Sequence, residues 1–351
     1  MKLLVYEWCT SGGLEGSGDS ALSPEGRLMA RAVAVDATRV AGLEIEVLVA
    51  ADQPLDLPAG VTARPVPPGS ELEWLSAASS GADWTIVIAP ETDGILADRV
   101  ARCREAGGRV LAGSGSFIDL AGDKQATVNA LAAAGLPVPA GTVRPAHAAW
   151  PAGFRRPAIR KPRDGVGGED CFIVRPGDSC PLTAAHDERI EAFSAGLSVG
   201  VACICGGRTV VPLPPLEQLF ADLPGGGSGY AGGRPVSDAS AGARARALAA
   251  RAVHAVATAA GAGLPTGWVG VDMILGERAD GRDDRVLEVN PRLTTSFVSL
   301  AAGATVSLVQ LMIAAASGQP LAAAADCCTP RSFRVASDDA ILSATVGSPR
   351  G

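Results

Sequence analysis

Three short apolar runs near the start of the chain, Leu3 to Tyr6, Ile45 to Val49 and Thr85 to Ala89, are separated by stretches of helical periodicity at Gly26 to Ala41 and Gly94 to Ala106. Runs of this length read as buried strands, and strands that alternate with helices build a parallel sheet. Residues 1–118 are therefore expected to form an α/β layer. Open parallel sheets bind ligands beyond the carboxyl ends of their strands. Two loops fall there, Glu7 to Gly18 and Pro90 to Gly94, both rich in glycine, hydroxyls and carboxylates, and Glu91 ranks first among their residues. Ordinary connecting turns share that composition, so the loops alone do not separate a turn from a site.

At 351 residues the chain exceeds one usual domain. A second region, 119–188, starts where Gly122-Asp123-Lys124 precedes an alanine-rich helix stopped by Gly135. Two short strand-like segments, Ala158 to Lys161 and Cys171 to Val174, flank the loop Pro162 to Gly168, the pattern of a small β lid. A third region, 189–321, carries strand patterns at Ser198 to Ile204, Thr209 to Val211, Trp268 to Leu275 and Arg285 to Val289, and a long helix over Ala239 to Ala260. The glycine-rich stretch Pro224 to Gly233 reads as a mobile, ligand-contacting segment. From Ala322 periodicity is lost, and 322–351 is expected to be a loosely attached tail.

A net charge of −7 without a basic stripe argues against nucleic acid, because neutralising phosphates takes clustered Lys and Arg. No apolar run approaches the roughly 20 residues that cross a bilayer. The first residues read as a strand and not as a leader, so a cytoplasmic location is expected. Small molecules are the expected partners, and a homodimer is the assembly considered. The eight cysteines lack the paired spacings of zinc sites and read as reduced thiols.

The segments "GVDMIL" and "VLEVNPR" place Asp272, Glu288 and Asn290 inside apolar strands. Strand side chains alternate, so Glu288 and Asn290 share a face, and a hairpin would bring Asp272 to them. Three hard oxygen ligands held this way suit Mg²⁺, which fills its remaining positions with water and nucleotide phosphates. The alternative is a solvated or salt-bridged pair of strand acids. Among 30 basic residues only Lys2, Lys124 and Lys161 are lysines. Lys161 ends a strand just before Gly165, Gly167 and Gly168, where backbone N–H groups could approach phosphate oxygens, and Lys124 opens a helix. A plain hairpin turn fits the glycines as well; the lysine and the downstream acids favour an anion cradle.

This ordered set, Lys124, Lys161 with its glycine loop, Glu191-Ala192-Phe193, Asp272 and Glu288-Val289-Asn290, resembles the ATP-grasp superfamily over about two thirds of the chain. The resemblance implies an N-terminal parallel α/β domain, a small central lid and a C-terminal mixed-sheet domain, with ATP and Mg²⁺ (or Mn²⁺) as cofactors. It implies that Lys124 and Lys161 bind phosphates, that Glu191, Ala192 and Phe193 frame the adenine, and that Asp272, Glu288 and Asn290 hold the metal. Arg292 would then stabilise the acyl phosphate or tetrahedral intermediate. Two departures stand out. Gly196-Leu197-Ser198 occupies the place where the family often carries a ribose-binding acid, and Ser296 stands where the biotin carboxylase branch has the glutamate proposed to deprotonate bicarbonate. A serine cannot be that base, so an amine acceptor is preferred. The segments "YEWCTSGG" and "APETDGIL" are similar to the tyramine–glutamate ligase group of methanofuran biosynthesis. That likeness implies glutamate as the activated carboxylate, tyramine, tyrosine or a similar amine as acceptor, and Ser11, Gly12, Gly13 and Glu91 near the substrates. The rivals are a carboxylase-like or kinase-like enzyme of the same fold, a non-catalytic nucleotide-binding regulator, and an oxidoreductase, which lacks a dinucleotide glycine fingerprint after its first strand.

Overall fold

The computed structural model describes residues 1–14, 23–165, 171–178, 186–222, 228–321 and 327–335. In chain order these form β1 (Lys2–Glu7), α1 (Ser23–Ala37), β2 (Glu44–Ala50), β3 (Val61–Val66), α2 (Glu71–Ser80), β4 (Trp84–Ile88), α3 (Ile95–Glu105), α4 (Gly115–Gly122) and α5 (Lys124–Ala133). Then follow β5 (Gly141–Arg144), β6 (Ala158–Pro162), β7 (Phe172–Val174), β8 (Glu188–Ala192), β9 (Leu197–Gly206), β10 (Thr209–Pro212), β11 (Leu216–Asp222) and β12 (Ser228–Pro235). The remaining elements are α6 (Ala239–Ala259), β13 (Gly267–Leu275), β14 (Arg285–Asn290), α7 (Ser296–Ala302), α8 (Leu308–Ala316) and β15 (Phe333–Arg334). None of the described helices is long and apolar enough to cross a membrane.

The apolar runs of the first region form the parallel sheet they imply, in the order β3-β2-β1-β4. β3 carries Pro65, and its place at the sheet edge spares it the inward hydrogen bond that a proline cannot donate. Helix α1 covers one face with Met29, Ala30, Val33 and Ala34, and also packs on α7 and α8. One apolar cluster therefore runs from Leu3 and Val47 through Val33 to Phe297, Leu308 and Met312, which ties the first sheet to the last part of the chain. Asp36, buried on α1, reinforces the junction by accepting from Ser307 Oγ at 2.7 Å and from Val309 N–H at 2.9 Å.

The small sheet has the order β5-β8-β6-β7, all antiparallel, and the large one the order β14-β13-β9-β11-β12-β15, with β10 paired to β9. Helix α6 covers the large sheet, with an alanine- and valine-rich face set against Val199, Val201, Val269 and Val271. Three readings of the sequence need correction. The expected boundary at residue 189 cuts through β8, which lies between β5 and β6, so the small sheet extends to Ala192. Residues 228–233 of the glycine-rich stretch belong to β12, which pairs with β11 across a bulge and carries Tyr230 to the cleft described below; residues 224–227 of that stretch lie outside the described residues. The expected loose tail is docked where it is described. β15 pairs with β12, Cys327 and Cys328 are buried, and Thr329 N–H donates to Gly303 O at 3.0 Å.

Candidate active site

Strands β13 and β14 form the expected hairpin, with Asp272 directly opposite Glu288 and Gly270 opposite Asn290. The bulge after Asp272 falls at this point of the ladder. Asp272 accepts from Asn290 Nδ2 at 2.8 Å and from Gln218 Nε2 at 2.8 Å, while Gln218 in turn accepts from Ser198 Oγ at 2.8 Å. Burial and the Glu288 charge push the Asp272 carboxyl up to about 7. Burial also raises Glu288, but Lys124, Lys161 and its hydrogen bond with Asp272 bring it below the ordinary carboxylate range. Two carboxylates in register form a hard oxygen donor set of the kind a divalent ion takes, with the Asn290 amide oxygen as the third donor. The residues thus fit the ion by donor chemistry. Among the described residues no group of three or more His, Cys, Asp or Glu side chains is placed to hold a metal, so the set rests on two acids and an amide.

Lys124, Lys161 and Gly165 line the same cleft, of about 200 Å³, as Asp272, Glu288, Asn290 and Arg292. Asp123 caps α5 by accepting from Gln125 N–H at 2.9 Å and Ala126 N–H at 3.0 Å, which starts the helix at Lys124. The Lys124 ammonium donates to the Gly165 carbonyl and stands 3.8 Å from Glu288 Oε2. Lys161, in β6, is 2.8 Å from Glu191 Oε1. Burial works against its charge, and Glu191 and Glu288 more than restore it, so its pKa stands above the ordinary lysine value. Gly167 and Gly168 lie outside the described residues.

The hinge segment is tied into the small sheet. Glu191 is buried beneath the cleft, and neither it, Ala192 nor Phe193 is on the described cleft wall. Ala192 N–H donates to Ala140 O at 2.8 Å and Phe193 N–H to Pro157 O at 3.3 Å, while the Phe193 ring is exposed. β8 is the physical reason: its pairing to β5 and β6 turns the Glu191 side chain toward Lys161 and Arg189.

The loop after β1 departs from expectation. It folds around Glu7, which accepts from Thr10 N–H at 2.8 Å and Cys9 N–H at 3.1 Å. Ser11 is fully buried and donates its hydroxyl to Leu48 O at 2.9 Å. Gly12 has a φ of +94°, and a Cβ on Gly13 would stand 2.0 Å from Trp8 Nε1, so both glycines are required by the turn itself. Glu91, by contrast, reaches the site: its carboxylate lies 3.1 Å from Arg292 Nε. Burial lowers the Arg292 pKa and Glu91 raises it further, leaving a firmly charged guanidinium on the cleft wall.

Gln218, Phe220 and Tyr230 also line the cleft and were not anticipated. Leu216, Gln218 and Phe220 are spaced by two along β11 and so share a face, a signal present in "LEQLF" but overshadowed by the glycines that follow. Glu25, at the first turn of α1, lines the cleft from the first region.

Comparisons with known proteins agree with this geometry. The family model described as "ATP-grasp domain" matches residues 121–296, and that described as "pre ATP-grasp 3 domain" matches residues 45–118. No curated protein matches the chain by sequence. An ATP-grasp superfamily protein from Archaeoglobus fulgidus is similar in structure, with a TM-score of 0.67 and 21% identity over 90% of this chain and 89% of that one. Biotin carboxylase from Campylobacter jejuni, solved with an ATP analogue, gives 0.66 and 16% over 91% and 71%. L-amino acid ligase from Bacillus licheniformis gives 0.61 and 15% over 94% and 77%. At these identities the structures speak for the fold, and the sequence model, which spans half of the chain, establishes that the protein belongs to the ATP-grasp family.

Proposed function

We propose that this protein is an ATP-dependent carbon–nitrogen ligase that activates a carboxylate as an acyl phosphate and joins it to an amine. The observation that carries the reading is the facing pair Asp272 and Glu288, set in one cleft with Lys124, Lys161 and Arg292. Bound at Asp272, Glu288 and Asn290, Mg²⁺ or Mn²⁺ would neutralise charge on the triphosphate and polarise the γ-phosphoryl group. Lys124 and Lys161 hold phosphate oxygens while the substrate carboxylate attacks the γ-phosphorus in line and the bond to ADP breaks. The amine then attacks the acyl carbon, phosphate departs with the bonding pair, and the amine's proton is lost. Arg292, kept charged and oriented by Glu91, steadies the oxyanion that forms between these events.

The finer proposal joins glutamate to tyramine, tyrosine or a related amine in methanofuran-type cofactor biosynthesis. Its support is the likeness of "YEWCTSGG" and "APETDGIL" to that ligase group, and within those segments the Glu91 contact with Arg292. The structural likeness to biotin carboxylase favours a carboxylase as a second reading. Against it, Ser296 lines the cleft with its hydroxyl 2.8 Å from Thr294 Oγ1 and supplies no base for bicarbonate. The test is phosphate release from ATP and Mg²⁺ with panels of amino acids, each with and without candidate amines, read together with product mass. A ligase releases phosphate only when both substrates are present and yields their summed mass less one water. A stable phosphorylated product without amine dependence would establish a kinase, and nucleotide binding with no turnover on any pair would establish a regulator.

A further inference from the structure

Beneath Lys161 lies a chain of charged side chains that the proposed reaction does not itself require. The Lys161 ammonium is 2.8 Å from one oxygen of Glu191, and the other oxygen accepts from Arg189 Nε at 2.8 Å. Arg189 is fully buried and uses its remaining nitrogens as well, Nη2 on Pro139 O at 3.1 Å and Nη1 on Gln125 Oε1. Gln125 follows Lys124 at the start of α5 and is braced by its own bond to Asn129 Oδ1 at 2.8 Å. Room for the guanidinium is made at Gly141, where a Cβ would stand 2.7 Å from Arg189 Nη2 and 2.6 Å from Ile190 O. One buried arginine thus joins the helix that presents Lys124 to the two strands that carry Lys161 and Glu191.

A fully buried arginine is a poor device for stability, since well-packed apolar side chains often do as well or better in its place. Its electrostatic effect on the cleft is specific. Glu191 alone would aim Lys161 but also cancel its charge. With Arg189 on the second oxygen, the three groups together keep one net positive charge, and Lys161 is the member at the cleft. We infer that Arg189 and Glu191 are positioning residues that fix the Lys161 ammonium relative to Lys124 while leaving its charge available to an anionic ligand. This rests on the proposed reading that a nucleoside triphosphate occupies the cleft.

The test uses the full chain with ADP and a non-hydrolysable ATP analogue, each with Mg²⁺, in calorimetric titrations, with Tm followed alongside. Glu191→Gln keeps the side-chain shape and removes the charge that aims Lys161. It is expected to weaken analogue binding about tenfold, and to lower kcat by up to about 100-fold once turnover is measurable, the penalty of a displaced reacting partner. Glu191→Gln should have no further effect on analogue affinity in a Lys161→Met background, because the carboxylate acts through that lysine. If Glu191→Gln does not fold, Glu191→Asp, which keeps the charge and draws the ammonium back, carries the same comparison. A fall in Tm with affinity within twofold of the parent, or additive losses in the double variant, would overturn the inference and show a structural pair only. If Lys161→Met itself leaves affinity unchanged, the nucleotide does not sit at Lys161, and it is the proposed function that fails.

Discussion

Glu191 in the small sheet and Asp272 in the large one are both strand carboxylates surrounded by protein, yet the chain surrounds them with opposite partners. Glu191 is held between two cations, Lys161 and Arg189, each at 2.8 Å. Asp272 meets two amide donors and, directly opposite, a second carboxylate. The first is a closed ion-pair network. The second concentrates negative charge that the protein offsets only at a distance, the Lys124 ammonium standing 3.8 Å from Glu288 Oε2. A carboxylate with protein cations on both oxygens serves the protein's own geometry. A pair left facing each other is suited to a cation from outside.

The largest effect should come from Asp272→Asn. Turnover is expected to fall about 10³-fold, roughly 4 kcal/mol of barrier, because one ligand charge is lost where the proposed metal and triphosphate would meet. Metal-free stability should fall by no more than about 1 kcal/mol, since the amide relieves the repulsion with Glu288 but keeps only one of the two acceptors that Gln218 and Asn290 use. Glu191→Gln should lower stability by about 3–5 kcal/mol, as expected for breaking a buried ion pair from one side. Thermal melts of both variants without metal decide the matter: equal losses of Tm would erase the contrast between the two carboxylates.

Arg292→Ala is expected to cost turnover roughly 10²–10³-fold while nucleotide affinity stays near the parent value. The guanidinium stands on the cleft wall, where its partner is Glu91 and not the glycine loop that Lys124 engages. A matching loss of nucleotide affinity would place Arg292 with the phosphate-binding groups.

The acid pair also predicts a pH dependence of stability with a definite sign. The folded Asp272 holds its proton up to about 7, against 3.8 for the free side chain. Between those values the folded state binds more protons than the unfolded chain, so this group's contribution to stability declines as pH rises from about 4 to about 7. Glu288, held below its ordinary value, contributes stability above that value and loses it as pH falls through the depressed one. Mg²⁺ competes with the Asp272 proton, so the gain in Tm from Mg²⁺ and ADP should be larger by a few degrees at pH 8 than at pH 5.5. Asp272→Asn should flatten that difference. An equal metal effect at both pH values would show that the ion does not bind this carboxylate.

The sequence made the acid pair legible and left the partners of Glu191 hidden, for a physical reason. Period-two alternation places Glu288 and Asn290 on one face, and the apolar residues around Asp272 show that its strand is buried. The parallel sheet was legible in the same way, from apolar runs separated by helical periodicity. The partners of Glu191 depend on which strands flank β8, a long-range property that no local pattern encodes. β11 and β12 were obscured because glycines that serve a bulged pair look, in sequence, like a flexible loop. For Ser11, the hydroxyl and glycine composition suited a substrate loop and a tight turn equally, and only the fold shows which way the hydroxyl points.

Ser11→Ala gives the smallest effect and tests the same distinction in the first region. The Ser11 hydroxyl donates to the Leu48 carbonyl beneath the surface, so its loss leaves one buried acceptor without that partner. The cost should be about 1 kcal/mol of stability, the usual net value of one intramolecular hydrogen bond. KM for either substrate should not change, because the side chain is fully buried and its hydroxyl is taken up by the Leu48 carbonyl. Glu91→Gln, in the neighbouring strand-end loop, should instead reduce kcat with little loss of Tm, since it loosens the hold on Arg292 without emptying a core position. If Ser11→Ala raises KM and leaves Tm unchanged, the loop after β1 opens to ligands and its hydroxyl belongs with the substrate-binding groups.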